Sequence, residues 1–285
     1  MNTVKKYLSL VKFSHTIFAM PFALTGFFLG YVETGEFDWL ILVLVVLCMV
    51  FARNAAMGFN RWADWRIDQD NDRTKVREIP SGVISPKNAL IFVVANSALF
   101  IAATWFINPL CFFLSPVALL VILGYSMTKR FTALCHLVLG LGLSLAPVGA
   151  YIAVTGYFNF APILLGVAVL TWVSGFDIIY ALQDEEFDKG HKLHSIPVFF
   201  GKNRALLVSS FLHVLTAGAI ATFIYLIGGQ TLAWIAAGLF ICLLVYQHLL
   251  VKPNDLSRVN LAFFTTNGIA SVLFALLVIS ELLLF

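Results

Sequence analysis

Two groups of polar residues in this 285-residue chain share one spacing. Asn60, Asp64 and Asp68 lie at i, i+4 and i+8, and Tyr180, Asp184 and Asp188 repeat the interval. On a helix such residues share a face, and like charges one turn apart repel by roughly a few tenths of a kcal/mol. A cation offsets that repulsion. Hard oxygen ligands that leave positions open for phosphate are what magnesium favours. Asp177, nearer the preceding apolar run, extends the second face. Arg73, Lys75 and Arg77 follow the first group and lead to Ile79-Pro80, while Lys189, Lys192 and His194 follow the second and lead to Ile196-Pro197. Lys129 and Arg130 come one turn after Tyr125. Two magnesium-bearing faces ringed by basic side chains make a site for a diphosphate. A single loop aspartate is as readily explained by solvation, but two matched groups at equivalent helix ends are not. The basic residues are also required by topology, so a phosphate or acceptor role is assigned only to Arg73, Arg77, Lys129 and Arg130.

The elements that carry these residues follow from composition. The chain is 60% hydrophobic and 12% charged, against about 25% charged in soluble domains. Lipid must therefore cover its apolar surface. A membrane helix needs roughly 20 apolar residues, and nine such spans are expected near 16–33, 39–59, 88–107, 110–128, 132–154, 161–180, 205–227, 232–251 and 260–283. The expected fold is all-α, a polytopic bundle of about nine transmembrane helices forming a single domain over 1–285. Two long charged loops interrupt it, at about 60–87 and 181–204. With this division the eighteen Lys and Arg fall on or near one face, and Glu33, Glu36, Asp38 and Glu281 on the other. The positive-inside rule places the basic face, the N-terminus and both loops in the cytoplasm. This is the pattern of an integral protein of a bacterial-type inner (plasma) membrane. Lys5, Lys6 and Lys12 ahead of an apolar run suggest a signal peptide, but the many later spans and the absence of a small-residue cleavage site favour a first membrane helix. Cys48, Cys111, Cys135 and Cys242 read as small buried hydrophobes, and no basic stripe points to nucleic acid.

The run Asn60–Asp68, the Asp184/Asp188 pair and the run Tyr125-Ser-Met-Thr-Lys129 together resemble the UbiA-type intramembrane aromatic prenyltransferases, including the 4-hydroxybenzoate polyprenyltransferases. The resemblance covers nearly the whole chain. It implies a central cavity capped by the two loops. It also implies that Asn60, Asp64, Asp68, Asp184 and Asp188 hold two Mg2+ on a polyprenyl diphosphate. Lys129, Arg130, Arg73 and Arg77 would neutralise phosphates or grip an acidic acceptor, and Tyr125 would stand near the developing cation. One departure is Arg61, where the family often has Asp after the Asn. It suggests a subgroup distinct from the ubiquinone enzymes, with a naphthoate-type acceptor for menaquinone.

The implied reaction transfers a polyprenyl group to an aromatic hydroxy acid in quinone biosynthesis, with Asp184, Asp177 or released diphosphate taking the ring proton. Haem and lipid glycerol are alternative acceptors. A secondary transporter is the rival outside enzymes, but transporter sites tend to sit at the bilayer midplane, whereas these acids gather at one face. His15, ahead of the first span, and His213, inside a later one, are read as interfacial and internally hydrogen-bonded.

Overall fold

The computed structural model describes residues 3–11 and 18–285. Every regular element among them is helical: α1 (Thr3–Leu10), α2 (Met20–Thr34), α3 (Trp39–Gln69), α4 (Pro86–Trp105), α5 (Pro109–Thr128), α6 (Cys135–Thr155), α7 (Phe160–Ala181), α8 (Glu185–Gly190), α9 (Ile196–Leu226), α10 (Thr231–Leu250) and α11 (Asn267–Leu284). Eight of the described helices are long and apolar enough to cross a membrane. The 15-residue α2 stands at the first expected span. Residues 16 and 17 of that span, with Lys12 and His15, lie outside the described residues. The protein is an all-α polytopic membrane bundle.

Side chains written into the sequence start several of these helices. The Asp38 carboxylate accepts from Leu40 N–H at 2.7 Å and caps α3, satisfying donors that a helix leaves open. Ser85 caps α4 and Asn108 caps α5, each followed by a proline in the first turn. At the start of α10 the Glu281 carboxylate accepts from Gln230 N–H and Ala233 N–H.

Three departures from the expected elements bear on the site. Helix α3 has 31 residues, about 46 Å at 1.5 Å per residue, so it outruns the hydrocarbon core and turns the first third of the 60–87 loop into helix. The second polar group is not on one regular helix. α7 ends at Ala181, a 3₁₀ turn covers Leu182–Asp184, and Asp188 belongs to α8. The 181–204 loop is also partly helical, because α9 begins at Ile196 and bends at Gly201, whose φ of 76° lies outside the helical region.

Helix α7 lies at the centre, packed between α6 and α9, with Leu165, Val169, Trp172 and Val173 wholly buried. Small residues let backbones approach, as expected where lipid supplies no hydrophobic drive between helices. A Cβ on Gly26 of α2 would stand 2.1 Å from the Pro147 carbonyl oxygen of α6. Gly26→Ala is therefore expected to cost about 1–3 kcal/mol. It should lower the unfolding midpoint in detergent, whereas Gly124→Ala, with no atom within 4 Å of its added Cβ, should not. Equal midpoints would show that α2 and α6 can separate freely.

Candidate active site

The last turns of α3 carry Asn60 and Asp64, joined by a 3.3 Å bond from Asn60 Nδ2 to Asp64 Oδ2. Asp68, one turn on, is buried. Its backbone carbonyl accepts from the Thr74 hydroxyl, which folds the following loop back. That fold brings Arg77 Nη1 within 2.8 and 2.7 Å of the two Asp68 carboxylate oxygens.

The same loop sends Arg73 across to the second acidic group. Arg73 donates from Nε and Nη2 to the two Asp184 oxygens, at 3.2 and 2.7 Å. Its Nη1 donates to the Tyr180 hydroxyl, and its guanidinium carbon lies 5.7 Å from the centre of that ring. At the end of α5, adjacent residues reach opposite ways. Lys129 Nζ is 2.7 Å from Asp188 Oδ2, and Arg130 Nη2 is 3.0 Å from Asp64 Oδ1. Three ion pairs thus link segments far apart in the chain, and the adjacent Lys129 and Arg130 bring the two acidic bays side by side. Lys75 and Lys189 stay outside, each paired within its own turn to Asp72 and Glu185.

The geometry keeps the cations charged. Burial opposes the Lys129 ammonium, but Asp188, with Asp184 behind it, more than offsets that cost and raises its pKa. Burial opposes Arg73 likewise, and Asp184 with Tyr180 again raises the balance.

Beyond the ion pairs lie groups of mixed kind. Tyr125 shares its surroundings with Asp64, Asp177 and Arg61. Asp177 Oδ2 lies 2.6 Å from His136 Nδ1. Because His136 Nε2 accepts from the Ile196 N–H at 3.3 Å, the ring proton belongs on Nδ1 and points at the carboxylate. Beside Asp184, the Tyr180 ring leans on Phe263, tilted by 33° with centroids 4.2 Å apart, and Phe263 meets Phe176 at 5.2 Å and Phe18 at 5.8 Å. Phe263 lies in a π-helical turn, Leu261–Thr266, a distortion that often accompanies functional sites.

Two further arginines of α3 turn inward. Arg53 lies seven residues before Asn60, on nearly the same helical face and about 10 Å deeper. Its buried Nε has no hydrogen-bond partner among the described residues, and the same holds for Arg61 Nε. Sequence reading placed Arg53 by topology alone and did not single out His136 or Phe263. Only the depth of Arg53 on the Asn60 face offered a signal.

The chain matches the UbiA prenyltransferase family over residues 19–269. It belongs to that family. Its all-α bundle is that of a prenyltransferase, and the transporter reading falls away. Among similar proteins, the 4-hydroxybenzoate octaprenyltransferase of Aliivibrio salmonicida is 32% identical over 250 residues, covering 86% of each chain. That of Saccharophagus degradans is 31% identical over 249 residues, covering 86% of this chain and 82% of its own. A UbiA homolog from Aeropyrum pernix K1, solved in its apo form, superposes with a TM-score of 0.80 at 27% identity, covering 94% of this chain and 97% of its own. A UbiA homolog from Archaeoglobus fulgidus, solved with GPP and Mg2+, superposes with a TM-score of 0.74. At 24% identity over 98% of this chain and all of its own, that likeness concerns the fold.

Proposed function

We propose that the protein transfers a polyprenyl group from its diphosphate to an aromatic hydroxy acid of the 4-hydroxybenzoate or naphthoate type, in quinone biosynthesis. The carrying observation is the divided reach of Lys129 and Arg130, one to each acidic bay. Four carboxylates, each paired with a basic side chain, form a cradle that a diphosphate and divalent metal can enter by exchanging partners. The octaprenyltransferase relatives and the GPP- and Mg2+-bound homolog support this chemistry. The charge pattern supports a cytoplasmic active site in a bacterial plasma membrane.

The residues suit magnesium. Asn60, Asp64, Asp184 and Asp188 offer only hard oxygens. Among the described residues no three His, Cys, Asp or Glu side chains converge enough to bind an ion by themselves, so phosphate and water would complete the shell, as magnesium prefers. When bound, the metal supplies Lewis-acid charge to the leaving diphosphate. Arg73, Arg77, Lys129 and Arg130 turn from carboxylates to phosphate oxygens and hold the leaving group in one place. The Tyr180–Phe263–Phe176–Phe18 wall excludes water and presents ring faces to the allylic carbon as it becomes cationic. Tyr125 borders the same space. The acceptor ring attacks that carbon, and Asp177 accepts the ring proton, its carboxylate held in place by His136. Asp184 is less suited as the base, since it is one of the carboxylates that would hold the metal.

Arg53 supports an acidic acceptor. A half-buried arginine whose buried Nε has no partner among the described residues favours a carboxylate below the diphosphate. Arg53→Gln is expected to raise the acceptor KM about tenfold to a hundredfold, the worth of one or two charge-assisted bonds, with little change in the diphosphate KM. The reaction itself is tested by incubating membranes with Mg2+, radiolabelled polyprenyl diphosphate and either 4-hydroxybenzoate or a dihydroxynaphthoate. Labelled product with one acid is the expected result. No product with either, from folded protein, would end the aromatic-acid assignment.

A further inference from the structure

The two acidic bays differ in charge. In the Asp184/Asp188 bay, the carboxylates of Asp177, Asp184 and Asp188 are met by Arg73, Lys129 and a His136 whose Nε2 is already an acceptor. In the Asn60/Asp64/Asp68 bay, the two aspartates pair with Arg130 and Arg77, and Arg61 lies within electrostatic reach of Asp68 without bonding it.

Arg61 is the unusual member. It is 5% exposed, and its buried Nε has no partner among the described residues. It precedes Asp68 by seven residues, so the two lie on nearly the same face of α3. Asp68, Arg77, Tyr125 and Glu78 are the titratable groups that act on it. Glu78 itself accepts from the Ser9 hydroxyl, and the Asp68 oxygens are taken by Arg77. A guanidinium held so deep without a bonded anion is costly, unless an anion arrives in function. A divalent cation entering this bay meets three guanidiniums against two aspartates, whereas a phosphate meets an excess of donors.

Building on the prenyl-diphosphate reading above, we propose that the bays divide the work. The Asp184/Asp188 bay takes a divalent cation with the diphosphate. In the other bay Arg61 stands in for a second cation and binds the diphosphate directly. One metal ion, rather than two, is then bound per active site.

The test counts metal without turnover. Mn2+ bound to the purified chain in nanodiscs is measured by electron paramagnetic resonance at saturating inorganic diphosphate, for the parent, Arg61→Asp and Arg61→Lys. One Mn2+ per chain in the parent and in Arg61→Lys is expected, and two in Arg61→Asp. Metal-free inorganic diphosphate should also bind at least tenfold more weakly to Arg61→Asp. Two Mn2+ in the parent would overturn the proposal whether or not any variant folds. So would one Mn2+ in a folded Arg61→Asp. Either result would leave the prenyl-diphosphate reading standing, since a metal–diphosphate complex would still bind. That reading fails separately if the parent retains neither Mn2+ nor diphosphate, an outcome that also overturns the one-metal proposal.

Discussion

Asp64→Ala and Asp184→Ala are each expected to lower kcat by about 10²–10³-fold, the scale seen when one preorganised electrostatic group is lost from a transition state. Each aspartate does two jobs. Asp64 bonds Asn60 and fixes Arg130, while Asp184 receives both arms of Arg73. Removing either carboxylate deletes a metal-competent oxygen and frees the cation that should meet phosphate. The two losses should not add. Once the diphosphate is misplaced by one change, the second has little left to remove, so the double variant should fall close to the worse single one. The two singles should differ in their need for metal. Asp184→Ala should raise the Mg2+ concentration for half-maximal rate. Asp64→Ala should mainly lower the rate, because its bay is rich in guanidinium. Steady-state rates with labelled prenyl diphosphate, at several Mg2+ concentrations, check both statements. A variant as active as the parent would show that its bay does not hold the diphosphate.

The membrane spans were legible because lipid imposes a long apolar run on each. The first polar group was legible for a related reason. Helix α3 has no proline between Trp39 and Gln69 and carries its one glycine, Gly58, without breaking, so i, i+4 spacing survives beyond the membrane. The same spacing misled at the second group, where the chain tightens to 3₁₀ after Ala181 and Asp188 falls on a separate short helix. Pairing was legible only in kind. Lys129 and Arg130 are neighbours in sequence, and nothing in their types says that one reaches Asp188 and the other Asp64. His136 was hidden because its meaning depends on Asp177, 41 residues away, and on the backbone N–H of Ile196. Arg53 looked like a topology residue, since only three dimensions show a guanidinium facing inward with an unpartnered nitrogen.

Lys129→Met is expected to give the largest stability loss of any change at the site. Asp188 is 1% exposed, and Lys129 Nζ at 2.7 Å is its one ion-pair partner among the described residues. Breaking a buried pair from one side leaves the other charge uncompensated and costs about 3–5 kcal/mol. The methionine keeps most of the lysine's apolar stem, so the loss reads the charge rather than the packing. Adding Asp188→Asn should recover much of it, because the neutral amide no longer needs a cation. The diphosphate site makes a second demand on the same variant. If the Asp184/Asp188 bay takes the divalent ion, Mg2+ with inorganic diphosphate restores a cation beside Asp188. The apparent unfolding midpoint of Lys129→Met in detergent should then rise more on their addition than that of the parent. A variant that unfolds with the parent would mean that water reaches Asp188 freely. One that is destabilised yet unmoved by Mg2+ and diphosphate would place the metal away from this bay. Both readings would tell against the arrangement in which Lys129 keeps the bay closed until a metal–diphosphate complex takes its place.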